Sequence, residues 1–190
     1  MHYGALKKLD IANGEGLRTS LFVSGCTNRC KNCFQPQTWD FNYGREFTED
    51  TVREIFDSMA VRSVRGLTIL GGEPMEPENQ RALLPFLREF KARFPNKTVW
   101  LYTGNTYEEL TLGVGAHSKC LDITAELLSL CDILVDGRFE QERARLGLRF
   151  RGSENQRIID IKQTLAAGKI VLWSGCSEDR AFSAPKEENQ

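Results

Sequence analysis

Net charge is nearly absent from this sequence. Its 25 basic and 26 acidic side chains almost cancel over 190 residues, so no global field points to nucleic acid or to an anionic membrane surface. Nor is there an apolar run near the roughly 18 to 20 residues of a spanning helix. The start, Met1-His2-Tyr3-Gly4, has no charged-then-apolar secretory pattern. The expected location is therefore the cytoplasm, with neither nucleic acid nor membrane among the partners. Histidine is scarce: neither His2 nor His117 has a partner pattern, and neither receives a role. A secreted disulfide framework is also missing, because three of the six cysteines are bunched in one loop, and in a reducing compartment such bunching favours metal binding. The length suits a single domain, expected over residues 1–176, followed by a polar and frayed tail over 177–190.

The bunched thiols are Cys26, Cys30 and Cys33, a C-x3-C-x2-C spacing. Thiolates suit zinc or iron-sulfur clusters better than hard cations. Three is one short for a closed zinc site or a fully ligated cubane, so the loop suggests a cluster with one iron left open. On spacing alone, a zinc site completed by a distant ligand and cysteines buried in a core stay open as alternatives.

Hydrophobic patterning alternates short apolar runs with helical spacing. Strands are expected at 17–24, 66–70, 98–102 and 133–135, with further candidates at 157–161 and 169–173. A short possible strand within residues 5–16 runs into a glycine-rich turn. Thr48 reads as an N-cap before Val52, Ile55, Phe56 and Met59 at helical spacing, and helices are expected at 78–94 and 123–130. Strand-helix alternation argues for an α/β fold of parallel βαβ units. A complete eightfold barrel takes about 250 residues, so the expectation is a partial (β/α) barrel of five or six parallel strands with helices outside; an open doubly wound sheet is the alternative. The cysteine loop, Gly71-Gly72-Glu73-Pro74, Thr103-Gly104-Asn105 and Asp136-Gly137-Arg138 each follow an expected strand. Because ligands bind at the carboxyl ends of parallel strands, these four clusters should face one cavity.

Gly71 and Gly72 allow close backbone approach to a ligand, Pro74 stiffens the exit, and Glu73 is suited to receive an ammonium; a plain strand-to-helix turn would use the same residues. Cys120 and Cys131 fall near helical apolar positions and read as buried core thiols. Cys176, beside the tail, reads as a stray reactive thiol or a residue of the cavity mouth. Trp39 is expected to pack under the cysteine loop.

Together, the cysteine spacing and the Gly71-Gly72-Glu73-Pro74 stretch one unit later resemble the radical S-adenosylmethionine superfamily. Within it the chain is similar to the activating proteins of anaerobic ribonucleoside-triphosphate reductase, relatives of the pyruvate formate-lyase activating enzyme. The likeness runs through residues 10–19, 21–26, Gln37-Thr38-Trp39, 70–74, 101–104, Val135-Asp136-Gly137 and Arg151-Gly152-Ser153 with Asn155-Gln156-Arg157. It implies that Cys26, Cys30 and Cys33 bind three irons of a 4Fe-4S cluster, and that the fourth chelates the amino and carboxylate groups of S-adenosylmethionine. Gly71, Gly72 and Glu73 would hold the methionine ammonium, while Thr103, Asn105 and Asp136 would meet the ribose or the carboxylate, or cap turns. One electron would then release a 5′-deoxyadenosyl radical, which takes a hydrogen atom from a glycine of the reductase large subunit; reduced flavodoxin is the donor usual in the family. Two departures stand out. The often aromatic residue before the third cysteine is Asn32, with Phe34 just after that cysteine instead, and the usual Gly-Pro-Gly near the start is Gly14-Glu15-Gly16. Asn155 and Arg157 would serve cofactor, partner or a surface salt bridge. A different glycyl-radical enzyme or a small molecule is the alternative substrate, and a metal-binding module that only docks a partner is the non-enzymatic alternative.

Overall fold

The computed structural model describes residues 1–176, the side chain of Cys176 excepted. The expected tail over 177–190 and the expectation for the Cys176 thiol lie outside the described residues. The frame is one seven-stranded sheet with strands β1 (His2–Asp10), β2 (Leu17–Val23), β3 (Arg45–Glu46), β4 (Val64–Gly71), β5 (Thr98–Tyr102), β6 (Ile133–Asp136) and β7 (Arg157–Asp160). Their order is β3-β1-β2-β4-β5-β6-β7. The helices are α1 (Glu49–Met59), α2 (Pro77–Arg93), α3 (Tyr107–Thr111), α4 (Thr124–Ser129) and α5 (Ile161–Ala167).

The α/β class stands, but the five or six parallel strands become four. Neighbours β2, β4, β5 and β6 run parallel, whereas β1, β3 and β7 join antiparallel. The reason lies in the connections. Only a short glycine turn separates β1 from β2, and a parallel pairing needs a crossover of a dozen or more residues, usually a helix. No helix of more than three residues stands between β6 and β7 either. Residues 169–173 form no strand: α5, ended by Gly168 in the left-handed conformation at φ 64°, takes up the chain before them, leaving one isolated bridge between Leu172 and Ile159. The short helices α3 and α5 were not legible as periodic apolar runs.

All five helices pack on one face of the sheet. Leu21, Val23, Leu67, Ile69, Val99, Leu101 and Leu134 meet Ile55, Leu83, Leu87, Phe90, Leu110, Leu127 and Ile161 in a single buried cluster. The opposite face carries a smaller cluster of Trp100, Ile133, Val135 and Ile158, to which no helix among the described residues contributes. A doubly wound sheet has helices on both faces, so this arrangement departs from that alternative. Strand alternation explains the sorting, because successive side chains point to opposite faces: Thr19, Leu21 and Val23 go to the helices, and Arg18 and Ser20 to the other side.

Arg18 is 1 % exposed and spends all five donors inside the protein. Nε donates to Thr68 Oγ1 at 2.6 Å, one terminal nitrogen to Leu67 O at 2.7 Å and Thr98 O at 3.0 Å, and the other to Thr98 Oγ1 at 3.0 Å and Glu15 O at 3.2 Å. Burial pulls its guanidinium down to about 10, and the Trp100 ring lies against it at 5.5 Å. One side chain thus ties β2, β4 and β5 together at their amino ends, where the parallel register is set. No helix among the described residues is long and apolar enough to cross a membrane.

On the helical side Phe90, fully buried, meets the rings of Phe56, Phe86 and Phe94 at 6.4, 6.2 and 5.5 Å. Phe90→Ala should cost about 3 to 5 kcal/mol, read as a lower urea midpoint at unchanged slope.

Candidate metal centre

The carboxyl ends of β2, β4, β5 and β6 open on one cavity of about 410 Å³, and its wall includes Cys26, Cys30, Cys33, Gly71, Gly72, Glu73, Thr103, Gly104 and Gly137. The four expected clusters therefore do meet. They meet because the chain leaving β2 folds back over its neighbours: Glu73 N donates to Gly25 O at 2.8 Å, Gly72 N to Val23 O at 2.7 Å, and Gly25 N to Thr38 O at 2.8 Å.

This close approach accounts for the glycines. Gly71 sits at φ +110°, where a Cβ would lie 2.7 Å from Val23 O, and a Cβ on Gly72 would lie 2.7 Å from Gly25 O and 3.0 Å from Thr38 O. At Gly104 a Cβ would run into Asn28 Nδ2. A side chain at Gly71 would run into the β2 backbone, one at Gly72 into the backbone entering and leaving the cysteine loop, and one at Gly104 would displace Asn28.

Glu73, fully buried, is the anchor of the site. Oε1 accepts from Met75 N at 2.9 Å and Thr103 Oγ1 at 2.8 Å; Oε2 accepts from Asn28 Nδ2 at 2.7 Å and Gly104 N at 2.8 Å. Burial raises its pKa, and the donors from Met75, Thr103 and Gly104 oppose that rise. One carboxylate thus joins the β4 exit, the β5 exit and the cysteine loop.

Burial also pushes the Cys26 thiol up to about 12, helped by the nearby Glu73 carboxylate, and raises Cys30, with Cys33 adding to it. Without a metal these groups stay protonated at neutral pH; bound iron or zinc would deprotonate them. Among the described residues no three cysteine, histidine or acidic side chains converge to hold a single ion. A zinc site needs its thiolates each about 2.3 Å from one point, whereas a cluster takes each thiolate on a different iron. The three thiols on the cavity wall suit a cluster's donor set.

The remaining expected residues divide. Thr103 and Phe34 line the cavity, and the Phe34 ring lies 5.2 Å from that of Phe139. Asn32, Asn105 and Asp136 are not on the cavity wall. Asn32 is exposed at φ 57° and shapes the turn between Cys30 and Cys33. Buried Asn105 donates to His117 O at 2.7 Å. Asp136 accepts from Tyr107 N at 2.8 Å and pairs with Arg157, whose guanidinium also grips Glu108 at 2.7 and 3.0 Å. These acids raise the Arg157 pKa, and its role is to brace α3 against β6. Asn155 Nδ2 donates to Arg138 O at 2.7 Å. Cys131 is buried as expected, but Cys120 is exposed, because it lies in the turn before α4 rather than on a helix. Trp39 does lie by the cysteine loop, its carbonyl accepting from Cys26 N at 3.3 Å.

Asn13, Asn28, Tyr102, Phe139 and Gln156 also line the cavity, and sequence reasoning did not single them out. Gln156 Nε2 donates to Gly137 O at 2.9 Å while its Oε1 accepts from Gly152 N at 2.7 Å, so it pins residues 139–154, an arginine-rich insertion between β6 and β7, over the cavity. Tyr102 and Gln156 fall inside the stretches of family likeness, which was the available signal; Asn28 carried one only by its place between two cysteines.

Comparison with known proteins agrees with this geometry. A family model described as a 4Fe-4S single cluster domain matches residues 12–159. The anaerobic ribonucleoside-triphosphate reductase-activating protein of Pasteurella multocida is 38% identical over 86% of this chain and 99% of its own. Its namesake in Vibrio cholerae is 39% identical over 82% and 96%, and that of Enterobacteria phage T4 is 34% identical over 83% and 93%.

Glu73→Leu strands four donors at once and should destabilise the chain by about 3 kcal/mol or more, since each unsatisfied buried group costs about 1 to 3 kcal/mol. Glu73→Gln, which keeps an acceptor oxygen, should cost less. Urea denaturation of the metal-free proteins checks both.

Proposed function

The chain belongs to the family of the anaerobic ribonucleoside-triphosphate reductase-activating proteins, and from that premise we propose that it is a radical S-adenosylmethionine enzyme generating a glycyl radical on the reductase large subunit. The observation that carries this reading is the meeting of three thiols and the Gly71-Gly72-Glu73 exit on the wall of one cavity.

Cys26, Cys30 and Cys33 would hold three irons of a 4Fe-4S cluster, leaving the fourth to the amino and carboxylate groups of S-adenosylmethionine. When bound, the reduced cluster would supply one electron to S-adenosylmethionine, giving methionine and a 5′-deoxyadenosyl radical able to take a hydrogen atom from glycine. Gly71 and Gly72 offer backbone carbonyls to the methionine ammonium. Each Glu73 oxygen already accepts two hydrogen bonds, so Glu73 acts through its charge and by holding Asn28 and Gly104 in place. Phe34 and Phe139 give the adenine an aromatic wall in place of the residue before the third cysteine. Thr103 stands at the wall for the ribose or carboxylate, while Asn32, Asn105 and Asp136 support it by fixing the loops that carry it.

The target glycine reaches the cavity from the side that the helices leave uncovered, in what we read as the retained part of a barrel built on β2, β4, β5 and β6. Phe34, on the cavity wall, is 78 % exposed; Ile11, next to the wall residue Ala12, and Leu146, two residues before the wall residue Leu148, are 75 % and 98 % exposed. Such an apolar rim suits an extended protein segment better than a small polar metabolite. The compartment consistent with this chemistry is the reducing cytoplasm, with a reduced flavodoxin or similar protein as electron donor.

Anaerobic iron and sulfide loading followed by reduction should give 5′-deoxyadenosine from S-adenosylmethionine, and a glycyl radical signal once the reductase is added. Cys30→Ser should lose both. Absence of the glycyl signal with an active parent cluster would exclude the reductase as substrate. Ile11→Asp and Leu146→Asp should raise the reductase concentration for half-maximal radical formation about tenfold, with partner-free cleavage unchanged.

A further inference from the structure

The span between Cys26 and Cys30 is held by more than Glu73. Thr27 donates both its backbone N–H and its hydroxyl to Glu76 Oε1, at 2.7 Å each. Lys119 Nζ closes the triangle, 2.9 Å from the same oxygen and 2.7 Å from Thr27 Oγ1. The Glu76 and Lys119 side chains are 5 % and 9 % exposed, so this is a charged cluster within the fold and not a surface pair. Glu76 itself is immobilised at the start of α2, its N–H donating to Glu73 O at 3.1 Å and its carbonyl accepting from Gln80 N at 2.9 Å.

Lys119 arrives on a strap, residues 112–121, that is tied down from several sides. Gln80 Nε2 donates to Lys119 O at 2.7 Å, Asn105 Nδ2 to His117 O at 2.7 Å, and Ser118 Oγ to Glu109 O at 2.6 Å. The strap contributes nothing to the cavity wall, yet it delivers a cation to the back of the cysteine loop. Two buried carboxylates, Glu73 and Glu76, already sit under that loop, and three thiolates would add further negative charge.

We propose that Lys119 is a positioning residue for the metal centre: with Glu76 and Thr27 it clamps the first turn of the cysteine loop in its ligating conformation and offsets the negative charge gathered there. The inference rests on the cluster reading above for its metal-bound part, but the clamp is a property of the metal-free chain as well. Removal of an outer partner of this kind typically lowers metal affinity about 10- to 100-fold. A cation removed from beside an iron-sulfur cluster also makes it harder to reduce, since net charge sets the potential.

The test compares the parent with Lys119→Met, Lys119→Arg and a control, Lys91→Met, which breaks the half-buried Lys91–Asp132 pair at the opposite end of the sheet. Loaded anaerobically, Lys119→Met should lose iron to a chelator at least about tenfold faster than the parent and show a more negative midpoint potential. Lys119→Arg should restore both, and Lys91→Met should leave both unchanged whatever it does to the melting temperature. In the metal-free proteins, amide exchange at Thr27 should be faster in Lys119→Met alone. Parent-like iron retention and potential in Lys119→Met, or equal changes in Lys91→Met, would overturn the proposal. If the parent takes up no cluster, the functional reading fails, and Thr27 exchange still decides the clamp: a rate unaltered by Lys119→Met refutes it.

Discussion

The metal centre depends on one buried carboxylate. Glu73 lies where β4 ends and accepts from four donors that belong to three different segments: its own exit turn, the β5 exit and the cysteine loop. A carboxylate deprived of solvent is expensive unless its lone pairs are met, and here they are. The same bonds that make its burial tolerable fix the loops relative to one another. Three thiols in a flexible loop would have to be ordered by a metal; thiols on a loop already tied to two strand ends would meet one in place.

The glycines are the steric half of that constraint. Gly71 has no room for a Cβ because the β2 backbone lies there, and Gly72 and Gly104 have little because backbone at Gly25 and Thr38 and the Asn28 side chain lie against them. Their absence of side chain brings the loop within hydrogen-bond reach of Glu73. What reads in isolation as a ligand-approach motif is thus also a packing requirement between two parts of the protein, and both demands fall on the same atoms. At the other end of the strands Arg18 does the equivalent task, tying β2, β4 and β5 with neutral acceptors against Trp100. The parallel core is pinned at both ends, and its carboxyl end is left to carry chemistry.

Placement of helices on one face alone leaves the other face of the sheet available. The arginine-rich insertion, held by Gln156 to Gly137, closes part of that side, and exposed Phe34 stands on the wall, with exposed Ile11 and Leu146 near the wall residues Ala12 and Leu148 in the chain.

Several features were readable from residue order because they are local. The parallel strands at 66–70 and 98–102, the cap at Thr48 and the long amphipathic α2 follow from periodicity and capping within a few residues, and the thiol trio from its spacing. Strand ends of a parallel sheet share one side, which made Cys26, Gly71, Thr103 and Gly137 predictable neighbours. The edge strands were harder, since β1 and β7 take their direction from the length of a connection and from what the next strand offers. The division among Thr103, Asn105 and Asp136 could not be read at all: three polar residues after strands look alike in order, and the sheet's pleat and the available partners turn one toward the cavity and leave the others to brace α3 and the strap. So residue order alone placed the three thiols after one strand and the glycine exit after the next, because side-chain spacing and backbone period are written locally. Which carboxylate anchors the loop, and which lysine stands behind it, emerged from the fold, because hydrogen bonds between residues 45 to 92 positions apart exist only after the chain has closed on itself.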